Sequence, residues 1–119
     1  MIAYKIFKKI GENLYSLIID GIYRVKYNRD EVNIKSRNRG GFACFESIKD
    51  LVGFIIHFGF KNTEFPMAVY KVDIIKNRKH VLYLPYVSKK HLPYGTVVAK
   101  ELTILEEIDI QEEIKCYTR

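Results

Sequence analysis

The sequence predicts an α+β fold: a mainly antiparallel, curved sheet of about six or seven strands, with one main helix over about residues 47–58 packed on one face. Three observations lead there. Several segments alternate apolar and polar residues with a period of two, as strands do. A single segment, opening at Ser47, repeats its apolar residues at helical spacing. Asp20-Gly21 stands between two strand-like runs and is the strongest short hairpin signal in the chain.

The elements follow in order. Residues 2–8 place Ile2, Tyr4 and Ile6 on one face and Ala3, Lys5 and Phe7 on the other. Gly11-Glu12-Asn13 supplies turn chemistry. Residues 14–19 are rich in strand formers, and residues 22–27 alternate. Ile22, Arg24 and Lys26 share one face there; Tyr23, Val25 and Tyr27 share the other. The three runs read as an antiparallel meander with one wet face. Residues 28–41 are polar and basic and end in Gly40-Gly41, a long loop for a small domain. Phe42 to Phe45 is a short apolar strand. Ser47 then caps the helix, with Asp50 three residues later in a variant of the capping box. Ile48, Leu51, Val52, Ile55 and Phe58 form the buried stripe, and Gly59 stops the helix. Gly53 is expected to allow close packing of the helix on the sheet. Residues 67–75 read as a strand with Val69, Lys71 and Asp73 facing away from Ala68, Tyr70, Val72 and Ile74. Residues 76–80 are a basic turn, 81–84 a strand ended by Pro85, and 96–104 an extended β-branched run. Ile108, Ile110, Ile114 and Tyr117 fit a short helix or a frayed strand equally well.

A chain of 119 residues fits one domain, 1–119, with an acidic C-terminal tail over 101–119. With 48% hydrophobic and 13% aromatic residues it is not composed like a disordered chain. Two cysteines, Cys44 and Cys116, do not make a disulfide framework. Cys44 reads as a small buried hydrophobe, Cys116 as a partly exposed thiol. The N-terminal segment alternates apolar and basic residues without an apolar run of signal-peptide length. The longest apolar run, Leu51 to Phe60, is broken by Gly53, His57 and Gly59 and is well short of the ~20 residues a spanning helix needs. The expectation is a cytoplasmic protein with no membrane association.

The formal net charge of +6 is unevenly placed. Residues 1–100 carry +10 and residues 101–119 carry −4. Basic residues gather at Lys35, Arg37 and Arg39, at Lys76, Arg78 and Lys79, and at Lys89 and Lys90. An anionic partner is expected: an acidic protein surface, a nucleotide or a nucleic acid. The candidate partner-binding residues are Arg24, Lys26, Lys35, Arg37, Arg39, Lys76, Arg78 and Lys79. The bland alternative is that these lysines and arginines are solvated loop tips. A short apolar sheet edge would also suit pairing with a second copy of the chain.

Little points to catalysis. His57, His80 and His91 have no His or Cys neighbour at metal-ligand spacing, and no Cys-x-x-Cys occurs. No Walker-type or dinucleotide fingerprint is present, so no metal and no cofactor is expected. Arg39-Gly40-Gly41 precedes a strand, where it suits a local anion nest rather than a phosphate loop. Gln111-x-Glu113, the segment around Ser47 and the strand residue Arg24 resemble, in three short pieces, the motifs of ADP-ribosyltransferases. That resemblance implies a minimal or degenerate transferase using Arg24, Ser47 and Glu113. Labelled NAD that is neither cleaved nor transferred would remove it. Basic and aromatic residues interleave in Tyr23 to Tyr27 and in Tyr83 to Tyr94, a pattern that also serves sequence-tolerant binding of single strands.

The order of Tyr4-Lys5-Ile6-Phe7, Leu14 to Ile18, Gly41 to Ser47, Val69-Tyr70-Lys71-Val72, and Gly95 to Ala99 running on to Leu105-Glu106-Glu107-Ile108 resembles small uncharacterised proteins of phages, prophages and large viruses. The resemblance implies a viral or mobile-element origin, a host cytoplasmic setting and, by analogy, a non-enzymatic inhibitor of a host defence system. On the basic-loop reading, reversing the charge of Arg37 and Arg39 together is expected to abolish partner capture. Unchanged capture from a bacterial lysate, with and without nuclease, would remove that reading.

Overall fold

The structure, a computed structural model, describes residues 1–16, 25–34, 41–57, 67–76 and 95–117. In chain order the elements are β1 (Ile2–Ile10), β2 (Asn13–Tyr15), β3 (Lys26–Tyr27), β4 (Asn33–Ile34), β5 (Phe42–Phe45), α1 (Ile48–His57), β6 (Met67–Lys76), β7 (Thr96–Ile108) and α2 (Ile110–Tyr117). The expected strand over 81–84 and the Asp20-Gly21 turn lie outside the described residues.

All strand pairs are antiparallel. The sheet runs β3-β2-β1-β5-β7-β4, and β6 pairs with both β1 and β7. β1, β6, β7 and β5 therefore form a closed ring, so the curvature expected of the sheet is carried as far as a small barrel. The expected meander is present as β1-β2-β3, which extends the sheet beyond the ring. Its partner pairs include Lys9 with Leu14 and Leu14 with Tyr27.

Closure comes from β7. Two irregularities in the β6–β7 register leave Lys100 and Leu105 without a partner on β6. Each extra residue bends the strand and reverses which face the next residue takes. Val97 and Ala99 face the barrel interior before Lys100; Leu102 and Ile104 face it afterwards. Past Leu105 the phase changes again, and Ile108 turns to the outside under the helices. The bend lets one strand pair with β5 through Thr96–Ala99 and with β6 as far as Ile108.

The ring has an apolar core on each face. Inside are Ala3, Phe7, Phe42, Cys44, Ala68, Tyr70, Val72, Ile74, Leu102 and Ile104, joined by Leu14 and Tyr27 of the meander. Outside, Ile6, Phe45 and Val69 pack under Leu51, Val52 and Ile55 of α1 and under Ile110 and Ile114 of α2. The wet face expected of the meander is thus absent along most of β1, which is covered on both sides. The helical stripe over Ile48, Leu51, Val52 and Ile55 is as the spacing predicts, while Phe58 and the expected stop at Gly59 lie outside the described residues. Gly53, however, faces solvent with open space where a Cβ would sit, so helix packing does not require it. A second helix, α2, settles the ambiguous tail. Asp109 caps it, its Oδ1 accepting the amides of Gln111 at 3.1 Å and Glu112 at 3.3 Å. Among the described residues no helix is long and apolar enough to cross a membrane.

The entry to α1 is tied to the start of β7. Ser47 Oγ accepts the Asp50 amide at 3.1 Å and donates to the Asp50 carboxylate at 2.9 Å. Gly95, at φ +80°, accepts the Glu46 amide at its carbonyl oxygen, and a Cβ there would collide with the Asp50 side chain. Gly95→Ala is expected to cost about 1–3 kcal/mol, combining a left-handed backbone with this collision. Ser47→Ala is expected to cost about 1 kcal/mol through loss of the cap. Urea denaturation of both variants measures these losses.

Candidate functional site

The polar segment after β3 is a built turn. Asn28 Oδ1 accepts the Asp30 amide at 2.9 Å, a turn in which the side chain stands in for backbone. Asn33 closes it: Oδ1 accepts the Asn28 amide at 2.7 Å, and Nδ2 donates to the Asn28 carbonyl at 2.9 Å and the Leu102 carbonyl at 3.2 Å. The turn is thereby pinned to β7 and carries Arg29 to a fixed place. The Arg29 guanidinium donates to Tyr70 Oη at 2.9 Å and lies 5.4 Å from the centre of that ring. Its Nε–H is buried and has no acceptor among the described residues. A buried unmet donor on a charged group is uncommon and costs free energy until something accepts from it.

Beside this turn lies an open groove of about 410 Å³, lined by Glu12, Asn13, Lys26, Tyr27, Asn28 and Arg29. That size suits a small molecule or one protruding group of a larger partner. Lys26 is exposed and makes no ion pair among the described residues.

Behind the groove wall sits a second cation. Lys5 faces the barrel interior and is 8% exposed. Its ammonium donates to the Ala43 carbonyl at 2.7 Å and lies 5.7 Å and 5.6 Å from the centres of the Phe7 and Tyr27 rings. Among the described residues no carboxylate pairs with it. Lys5 and Tyr70 are cross-strand partners, and Phe7 meets both Tyr27 and Tyr70 edge to face. The two cations Lys5 and Arg29 thus bracket one aromatic cluster.

Burial shapes the neighbouring acids. It pushes the Cys44 thiol up to about 11, against the opposing pull of the Lys5 ammonium. Burial also raises Tyr27, and Lys5 again opposes the change. Cys44 is therefore a protonated, packed thiol at neutral pH, not a nucleophile.

Of the residues expected to bind a partner, Lys26 lines the groove. Lys76 stands apart from the groove residues, at the end of β6, where it pairs with Glu46 at 3.3 Å. Arg24, Lys35, Arg37, Arg39, Arg78 and Lys79 lie outside the described residues. The hydroxyl of Ser47 is engaged in its cap, and Glu113 lies on α2 rather than on a strand. The acidic tail turns on its own body: Glu107 pairs with Lys9 at 3.6 Å and Glu106 with Lys71 at 3.7 Å. Lys5 and Arg29 were absent from the expected set. A lysine in an alternating strand reads as solvated, and one arginine in a polar loop reads as a loop tip. The asparagines bracketing Arg29 are the signal that marks it, since they are what turns and clamps the segment. Comparison with family models, with curated proteins and with solved structures gives no match.

Two outcomes follow for the thiols. Under native conditions a thiol reagent is expected to label Cys116, which is exposed, and to spare Cys44; in denaturant it should label both. The Cys44 value is raised on folding, so its contribution is complete below pH 9 and is lost as pH rises toward about 11. Across that window the wild type should lose up to about 1.4 kcal/mol per pH unit more than Cys44→Ala, measured by urea denaturation at each pH.

Proposed function

We propose that this chain is a non-enzymatic binding protein that engages an anionic partner in the groove between the β2–β3 hairpin and the 28–33 turn. The observation that carries this reading is the placing of two cations, Arg29 and Lys26, on one open groove with no carboxylate paired to either among the described residues. A ligand oxyanion entering there supplies an acceptor for the guanidinium and a counter-charge for the lysine, two things the described protein leaves open. Asn13 and Asn28 add amide groups for hydrogen bonding, and Glu12 supplies one acceptor for a donor on the ligand. Among the described residues the groove wall carries no cysteine, serine or histidine, and the reading made of it is one of binding. The positive charge of residues 1–100 favours an anionic partner in general, and the resemblance to viral proteins favours a host molecule as that partner.

Titration with AMP at low salt, followed by calorimetry, tests the reading. Saturable binding that weakens with added salt is expected. Lys26→Glu should lower affinity about tenfold, an electrostatic change of about 1.4 kcal/mol, while leaving the melting temperature within a degree or two because the side chain is exposed. Failure to bind AMP, inorganic phosphate and phosphoserine alike, or indifference of AMP affinity to Lys26→Glu, would overturn it.

A further inference from the structure

An ammonium group inside a small barrel is a poor choice for stability. An apolar side chain of similar length fills the same space without desolvating a charge, and exchanges of that kind are commonly neutral or stabilising. Lys5 is nevertheless held there, with a carbonyl and two ring faces as its partners among the described residues. Each of these accommodates the charge; none of them neutralises it. The same is true of Arg29, whose partners are the Tyr70 hydroxyl and ring. Tyr27 joins the two settings, since it touches Lys5 and also forms part of the groove wall.

We infer that Lys5 is a buried binding cation, placed one side chain behind the groove to supply uncompensated positive potential, and that the ligand group it selects is a phosphate monoester in its dianionic form. This rests on the groove being an anion site. It adds a reason for the interior lysine and a preference among anions. Lys26 and Arg29, offset by Glu12 on the same wall, leave one net positive charge, enough for a carboxylate. A third positive charge, in surroundings where water screens little, favours the anion of higher charge. Lys5 acts through the field and through the orientation of Tyr27. It is a positioning and electrostatic residue, and direct contact with the ligand is not required of it.

The test compares wild type, Lys5→Met and Lys5→Gln, titrated with AMP, phosphoserine, inorganic phosphate and acetate, with a melting curve for each protein. Lys5→Met should melt at the same temperature or higher, bind AMP and phosphate at least about tenfold more weakly, and bind acetate almost unchanged. Wild-type affinity for AMP should rise between about pH 5 and 7, as the phosphate takes its second charge, and this rise should flatten in both variants. The AMP and phosphoserine arms separate a nucleotide from a phosphorylated side chain as the source of the group. If Lys5→Met binds AMP as tightly as wild type while Lys26→Glu does not, the groove reading stands and the role of Lys5 falls. Lower melting temperatures in both variants with affinity retained would make Lys5 a structural staple between β1 and β5 and overturn the inference. If wild type binds none of the phosphates, both readings fall together.

Discussion

The barrel depends on β7 changing phase twice. A strand of thirteen residues that alternated strictly would present one row of side chains to the interior from end to end, and it would have to stay nearly straight to do so. With Lys100 and Leu105 set aside as unpaired residues, β7 bends around the ring and keeps apolar residues inside on both sides of the first bend. Everything else is referred to this strand. β5 and β6 take their register from it, Asn33 anchors the 28–33 turn to it, and its last residue hands the chain to α2. The position of Arg29 is thus a remote product of strand curvature: β7 fixes the Leu102 carbonyl, Asn33 bonds to it, and the turn aims the guanidinium at Tyr70.

A second constraint works against the first. Packing favours an interior free of charge, yet β1 brings Lys5 into it. The seam between β1 and β5 is thin, with Tyr4 and Phe45 as its one ladder pair. The Lys5 ammonium reaches across that seam to the Ala43 carbonyl, which holds the charge in place without neutralising it. The electrostatic cost of Lys5 therefore falls where the ladder is thinnest. Its surroundings set the chemistry of the neighbours: a thiol held protonated, a phenol held neutral, and aromatic faces turned toward positive charge. The acidic end of the chain shows the opposite economy. Glu106 and Glu107 meet Lys71 and Lys9 at exposed pairs that add little to stability but occupy cations that would otherwise be open to a partner.

What the sequence made legible was local. Ser47 and Asp50 mark the start of α1 within four residues, and the apolar spacing from Ile48 to Ile55 gives its buried side. The alternation of β1 and β6 reads correctly because each keeps one phase throughout. β7 reads correctly only to Ile104, since the bulge at Leu105 breaks the period that identifies a strand. The closure of the ring was not legible, because it rests on pairings between residues far apart in the chain, such as Lys71 with Glu106 and Cys44 with Val97. Burial of Lys5 follows from that closure and was hidden with it. Lys26 was visible as the polar member of an alternating pair. Arg29 was not, because its neighbours Asn28 and Asn33 act by hydrogen-bond geometry that composition does not display.

The two extra residues of β7 also bear on how such a gene can change. At Lys100 and Leu105 the side chains point to solvent and lack a β6 partner, so many replacements there leave the fold intact. Removing either codon is another matter. Loss of Lys100 would leave Leu102 and Ile104 in phase with Val97 and Ala99 but take away the extra residue that bends the strand, so β7 could no longer turn from β5 along β6. The strand is thus permissive in its letters and strict in its length. Among divergent copies of this gene, variation at these two positions should accumulate as substitutions, with reading-frame-preserving deletions purged.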